Sequence, residues 1–344
     1  MRRRALPRSP VLTGLWATWQ PACLLLLRCR NLTYWVGIMA PTKCILCPVD
    51  FSEFSRHALD CAVGLARWNK AHVVALHVFA NWPAVDVVPS LASGTLPTIS
   101  LKDVDRKVLL GVLREFVAPY AKQHVSVEAL VAESPDVHRE ILAQAEVNHA
   151  GLIVIGSHGR SGFQRLLLGS ITEKVLRAAR CPVMVVPPHA TSTAAPSDRP
   201  FARMLCPVDF SCDATAALSR ATELAGRAGS TVTVLHVIDV PAALYEMPGF
   251  DIANYRRDAV AKGRKRLSEL IPERTARALD VVVSEGRPDQ EILRVAAERD
   301  IDLIVMGVSG RRAVDLAVFG STTHRVLRGA SCPVLTVRHE ERAS

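Results

Sequence analysis

With 344 residues, the chain has room for two ordinary domains. Its 49% apolar and 22% charged residues are normal for folded cores and argue against a disordered chain. The net charge of +9 is uneven: residues 1–38 hold six arginines and no acid, leaving 36 basic against 33 acidic residues in the rest. That body has no clustered Lys/Arg stripe with interleaved aromatics, which excludes nucleic acid as the expected partner.

Residues 1–38 also contain three of the five tryptophans and show no periodicity. Their longest apolar stretch, Ala22 to Leu27, is far too short to span a bilayer, and the segment lacks the apolar run and cleavage site of a signal peptide. An organelle-targeting sequence is one reading of an Arg-rich, acid-free segment. The plainer one makes Met39 the natural start and residues 1–41 an extension, unstructured or not native.

From there, apolar runs alternate with amphipathic patterns. Strands are expected at 43–48, 72–79, 125–131, 151–156 and 181–186, with helices at 53–68, 101–122, 135–148 and 169–179. The Pro/Ser/Gly-bearing stretch 81–100 reads as a loop. Residues 188–200, rich in proline, read as a linker between domains at 42–187 and 201–338, with 339–344 a tail. The second half repeats the series: strands at 203–207, 231–237, 279–284, 302–307 and 332–337, helices at 212–227, 251–270, 288–299 and 320–329. Five near-continuous apolar strands alternating with four helices imply a parallel sheet covered on both faces, twice.

The duplication is explicit in the motifs. Pro48-Val49-Asp50-Phe51-Ser52 matches Pro207-Val208-Asp209-Phe210-Ser211, and Leu76-His77-Val78 matches Leu235-His236-Val237. Gly156-Ser157-His158-Gly159, nine residues, then Gly169-Ser170 matches Gly307-Val308-Ser309-Gly310, nine residues, then Gly320-Ser321. A strand that ends in glycines and feeds a helix N-terminus is a phosphate-site design. Gly156 and Gly159 let backbone N–H groups approach phosphate oxygens and tolerate positive φ. Ser170 and Thr172 add hydroxyls, and Asp50 can accept from a ribose hydroxyl or an amino group. In an open α/β sheet such groups meet outside the carboxyl ends of the strands, where strand order reverses. The spacing is neither a Walker loop, since no lysine lies between the glycines, nor the dinucleotide fingerprint G-x-G-x-x-G. The loops differ in their donors, with His158 in the first and Val308 in the second. They also differ in charge, with Arg160 and Arg165 in the first against Arg311, Arg312 and Asp315 in the second.

Cysteine usage points to a reducing, cytoplasmic setting. Cys44 and Cys47 form a C-x-x-C, but a strand places residues three apart on opposite faces, so no metal or redox site is expected there. His77 and His236, in apolar strands, are read as core or crevice-edge residues, and His57, His138 and His149 as surface.

The doubled P-V-D-F-S opening, L-H-V strand, G-x2-G-x9-G-S motif and C-P-V last strand resemble a tandem universal stress protein over about residues 42–187 and 201–338. The resemblance implies two Rossmann-like open five-stranded parallel sheets, each of order 3-2-1-4-5, of the adenine nucleotide alpha hydrolase type. It also implies the ATP-binding branch, with or without Mg²⁺. In the first copy, Asp50 and Val78 would lie at the adenosine end and Ile155 beside the phosphate loop. Gly156, Gly159, Gly169, Ser170 and Thr172 would hold phosphate and ribose. The second-copy counterparts are Asp209, Val237, Met306, Gly307, Gly310, Gly320, Ser321 and Thr323. No residue is assigned to catalysis and none to a metal, so a stress-response binding and signalling role is favoured. A slow ATPase and an ATP-independent interaction module, working through protein partners of unknown identity, remain the alternatives. The last strands, Val183–Val186 and Val334–Val337, are expected at sheet edges that pair within the chain as a pseudo-twofold dimer open to further dimerisation.

Overall fold

The computed structural model describes residues 42–79, 101–159, 168–188, 200–271, 279–310 and 319–339. The extension at 1–41, the loop at 81–100, most of the linker and tail, and Arg160, Arg165, Arg311, Arg312 and Asp315 lie outside them.

The first half runs β1 (Cys44–Pro48), α1 (Glu53–Asn69), β2 (His72–Phe79), α2 (Leu101–Val117), β3 (Val127–Glu133), α3 (Val137–Val147), β4 (Leu152–Gly156), α4 (Ser170–Ala178) and β5 (Val183–Val186). The second repeats it as β6 (Arg203–Pro207), α5 (Cys212–Ala228), β7 (Thr231–Ile238), α6 (Ile252–Leu270), β8 (Leu279–Glu285), α7 (Pro288–Glu298), β9 (Leu303–Gly307), α8 (Ser321–Gly329) and β10 (Val334–Val337). Several boundaries shift by one or a few residues from the sequence reading, and two of the shifts have a visible cause. The helix expected through residue 122 changes at Ala118 into a 3₁₀ turn, Ala118–Gln123, whose first turn holds Pro119; proline lacks the N–H that an α-helix interior needs. Strand β3 begins two residues late and runs on to Glu133, because β2 pairs with it through Phe79↔Glu133.

Within each half the strand order is 3-2-1-4-5, and the pairings are parallel. The two five-stranded sheets meet through their last strands, as the intrachain pairing expected of those edges implies, and form one ten-stranded sheet, β3-β2-β1-β4-β5-β10-β9-β6-β7-β8. The seam is the antiparallel pair β5–β10, in register at Val185↔Val334, Met184↔Leu335 and Val183↔Thr336. A short apolar edge strand is an unsatisfied ladder, and each half satisfies the other's. The Thr336 hydroxyl adds a bond to the Val183 carbonyl at 3.0 Å. Beside the seam, the Arg227 guanidinium stacks 4.4 Å from the Trp68 ring and donates to Asn69 at 2.7 Å. Arg338 donates to the Arg177 carbonyl at 2.9 Å.

Both faces of the sheet are covered by packed apolar side chains. In β1, Ile45 and Cys47 pack into the cluster formed with α1 and α2, whereas Cys44 and Leu46 pack into the opposite cluster formed with α3 and α4. The C-x-x-C therefore straddles the sheet. Burial raises the Cys47 and Cys206 thiols far above the ordinary range and pushes Cys332 up to about 12, so these three stay protonated. Among the described residues no helix is long and apolar enough to cross a membrane.

Candidate functional site

Each half closes its first strand with the same turn. After Val49, Asp50 Oδ1 accepts from the Ser52 N–H at 3.0 Å and the Ser52 hydroxyl at 2.5 Å. Ser52 in turn caps α1 by accepting from the Ser55 N–H at 3.2 Å. The second half matches it: Asp209 Oδ1 takes Ser211 N–H at 3.0 Å and its hydroxyl at 2.6 Å, and Ser211 accepts from Ala214 N–H at 3.2 Å. To make this turn, Phe51 and Phe210 adopt left-handed φ values of 65° and 66°. That conformation is costly for a bulky residue, and ring packing offsets it. Phe51 lies 4.4 Å from the His77 ring and Phe210 4.6 Å from the His236 ring. The histidines are buried, and their Nδ1 atoms lie 2.7 Å from the Val49 and Val208 carbonyls, tying β2 and β7 to the turns. They are framework, as expected. His57 and His138 are half-buried rather than on the surface, and His138 pairs with Asp136.

Strand order reverses between β1 and β4, which are neighbours through Ile45↔Leu152 and Leu46↔Ile153; β6 and β9 repeat this through Met204↔Leu303. Asp50 and the loop after Gly156 thus meet at one crevice. A Cβ placed on Gly159 would stand 2.9 Å from Asp50 Oδ2, and one on Gly310 would stand 3.1 Å from Asp209 Oδ2. The loop backbone comes within reach of the carboxylate only because no side chain intervenes. None of the six motif glycines has a left-handed φ. Only the positive φ of the sequence reading is corrected there; what the geometry needs is the missing side chain.

Gly156 and Gly307 serve packing. A Cβ on Gly307 would lie 2.9 Å from the Ala214 nitrogen, whereas one on Gly156 would lie 3.1 Å from the Phe54 carbonyl oxygen. We expect Gly307→Ala to destabilise the fold by about 1–3 kcal/mol, the range for overpacking, and by more than Gly156→Ala. Thermal melts of the two variants check this.

Gly169 and Gly320 occupy the N-cap positions of α4 and α8, and neither helix has a side-chain cap. Their first turns, with Ser170 and Ser321 leading, therefore present backbone donors and a positive dipole end. Thr172 and Thr323 are buried and donate to the Gly156 and Gly307 carbonyls at 2.9 and 3.0 Å, so they brace the loop. Ile155 and Met306 are buried beside it in the same cluster as Cys44 and Leu46. Val78 and Val237 lie near the carboxyl ends of β2 and β7, Val78 half-buried and Val237 buried. Superposing the motifs on their glycines sets His158 against Ser309 and Ser157 against Val308.

Sequence reasoning missed one site residue, Asp213. It accepts from the Ser309 N–H at 2.9 Å and the His339 N–H at 2.7 Å. The signal was available: aligning the repeats sets Asp213 opposite Phe54.

The sequence profile of the universal stress protein family matches residues 41–187 and 200–338. Universal stress protein YxiE of Bacillus subtilis is 34% identical over 146 residues, 41% of this chain and 97% of that protein. Universal stress protein MJ0531 of Methanocaldococcus jannaschii is 34% identical over 144 residues, 42% of this chain and 81% of that protein. The solved structure of a universal stress protein from Archaeoglobus fulgidus aligns at a TM-score of 0.57 and 23% identity. It covers 87% of this chain and 97% of that one, which shows a shared fold.

Proposed function

Because the chain belongs to the universal stress protein family, we propose that it is a stress-response protein with two adenine-nucleotide crevices, one in each of the domains at 42–187 and 201–338. It acts by binding and signalling rather than by efficient turnover. The observation that carries this reading is the doubled apposition of a glycine-loop backbone and a carboxylate at a strand-order switch point, 2.9 Å and 3.1 Å from the would-be Cβ atoms of Gly159 and Gly310. The donor set suits ATP. Asp50 and Asp209 accept from the adenosine end, with Val78 and Val237 beside it. The loop N–H groups at His158, Gly159 and Gly310, and the first-turn N–H groups of the helices that start at Ser170 and Ser321, receive phosphate. Magnesium would arrive on the phosphates, since Mg²⁺ binds through substrate phosphates and waters rather than an all-protein cage.

Turnover would need a placed base. Asp50 and Asp209 already commit Oδ1 to Ser52 and Ser211, which favours binding over hydrolysis.

Ligand-dependent melting tests the reading. ATP at a hundredfold excess over its Kd should stabilise the chain by about 2.7 kcal/mol and raise Tm by several degrees. No shift with ATP, with or without Mg²⁺, would leave the interaction-module reading. Steady phosphate release lost in Asp50→Ala plus Asp209→Ala would promote the ATPase reading instead.

A further inference from the structure

The two crevices part company at the first turn of the helix that follows the aspartate. Position 54 of the first half is phenylalanine; its counterpart in the second is Asp213. The Asp213 carboxylate lies against the second glycine loop. Oδ2 accepts from the Ser309 N–H at 2.9 Å, and a Cβ on Gly307 would meet the Asp213 Cβ at 2.8 Å. Its Oδ1 accepts from the His339 N–H at 2.7 Å, just past β10. The counterpart of His339 is Pro188, which has no N–H to donate. In the first half the Phe54 ring instead lies 5.7 Å from the His158 ring. The exchange is therefore paired: a carboxylate with two backbone donors in one half, an uncharged ring and a proline in the other.

A phosphate chain entering the second loop would meet a negative charge already bonded to one of that loop's own donors. In the first loop, the same position is neutral. Like charges at hydrogen-bond distance in a half-buried setting repel strongly. Nothing in this exchange touches the nucleoside end, where Asp209 keeps the geometry of Asp50.

We propose that Asp213 determines ligand specificity in the second crevice by discriminating against the triphosphate, so that the first crevice is the ATP site and the second holds ATP far more weakly while still accepting the uncharged nucleoside. The proposal rests on the nucleotide reading above.

Calorimetry of the full chain with ATP and with adenosine separates the possibilities. The wild-type chain should show one tight ATP site. With the first crevice blocked by Gly159→Val, ATP binding should be weak. Adding Asp213→Asn should tighten ATP at least about ten-fold while adenosine affinity stays within about two-fold, since the change is a charge at the phosphate end. The reciprocal Phe54→Asp, made in the otherwise wild-type chain, should weaken ATP and spare adenosine; it gives an independent answer if Asp213→Asn perturbs folding. Two equal ATP sites in the wild-type chain, or equal effects on ATP and adenosine in these variants, would overturn the proposal alone. No binding of either ligand to the wild-type chain would overturn the nucleotide reading and the proposal with it.

Discussion

Gly159→Val combined with Gly310→Val is expected to abolish adenine-nucleotide binding while leaving the fold intact. Among the described residues, the new Cβ at Gly159 would meet Asp50 Oδ2 at 2.9 Å, and at Gly310 it would meet Asp209 Oδ2 at 3.1 Å. Both neighbours are the ends of side chains, so the backbone can stay where it is. The β-branched group then fills the gap between loop and carboxylate, and it is stiff at χ1, so it cannot swing clear. A ligand would lose the loop N–H contacts and the carboxylate contact together. Hydrogen bonds to charged groups contribute roughly 1.5–3 kcal/mol each, so losing two raises Kd by more than about a hundredfold. Calorimetric titration measures the loss, and circular dichroism with a thermal melt confirms the fold. Affinity unchanged in a folded double variant would remove the loops from the binding site.

The second large effect lies at the seam. Val185→Lys combined with Val337→Lys should destabilise the chain severely. Val185 is 1% exposed and pairs with Val334 across β5–β10, and Val337 is 5% exposed beside Gly307. A lysine at either position must bury its ammonium or deprotonate. Holding it neutral at pH 7 against an ordinary pKa near 10.4 costs on the order of 4 kcal/mol. The sign follows: burial lowers the folded-state pKa, so the loss shrinks as pH rises toward 10 and grows as pH falls. Denaturant unfolding at pH 7 and pH 9.5 checks both size and direction. A change under about 0.5 kcal/mol, a neutral surface value, would contradict the shared sheet.

Much of the fold is legible in the sequence because it is written twice. The P-V-D-F-S turn, the L-H-V strand and the glycine motif recur at constant internal spacing, and each recurrence marks a strand end. The 3-2-1-4-5 order came with the family resemblance, and each half has it. Other features depend on contacts that no local pattern carries. The pairing of the two last strands follows from their apolar edges, but its register depends on strands more than 150 residues apart, as Thr336 and Val183 are. The left-handed turn at Phe51 and Phe210 breaks the usual rule for bulky residues and is stabilised by histidines on another strand. At the motif glycines the positive φ that residue type suggested is absent, and at Gly159 and Gly310 the missing side chain leaves space against Asp50 and Asp209. Asp213 escaped notice because its partner His339 is 126 residues away. The substitution was visible in the repeat alignment; its meaning was not.

The central claim, that these crevices hold an adenine nucleotide, is tested most directly by titrating the full chain with ATP in the presence of Mg²⁺ in a calorimeter, alongside mass spectrometry of the gently purified protein. The account predicts saturable heat that disappears in Gly159→Val plus Gly310→Val, together with adenine nucleotide carried through purification. No heat and no retained nucleotide from a folded wild-type chain would contradict it.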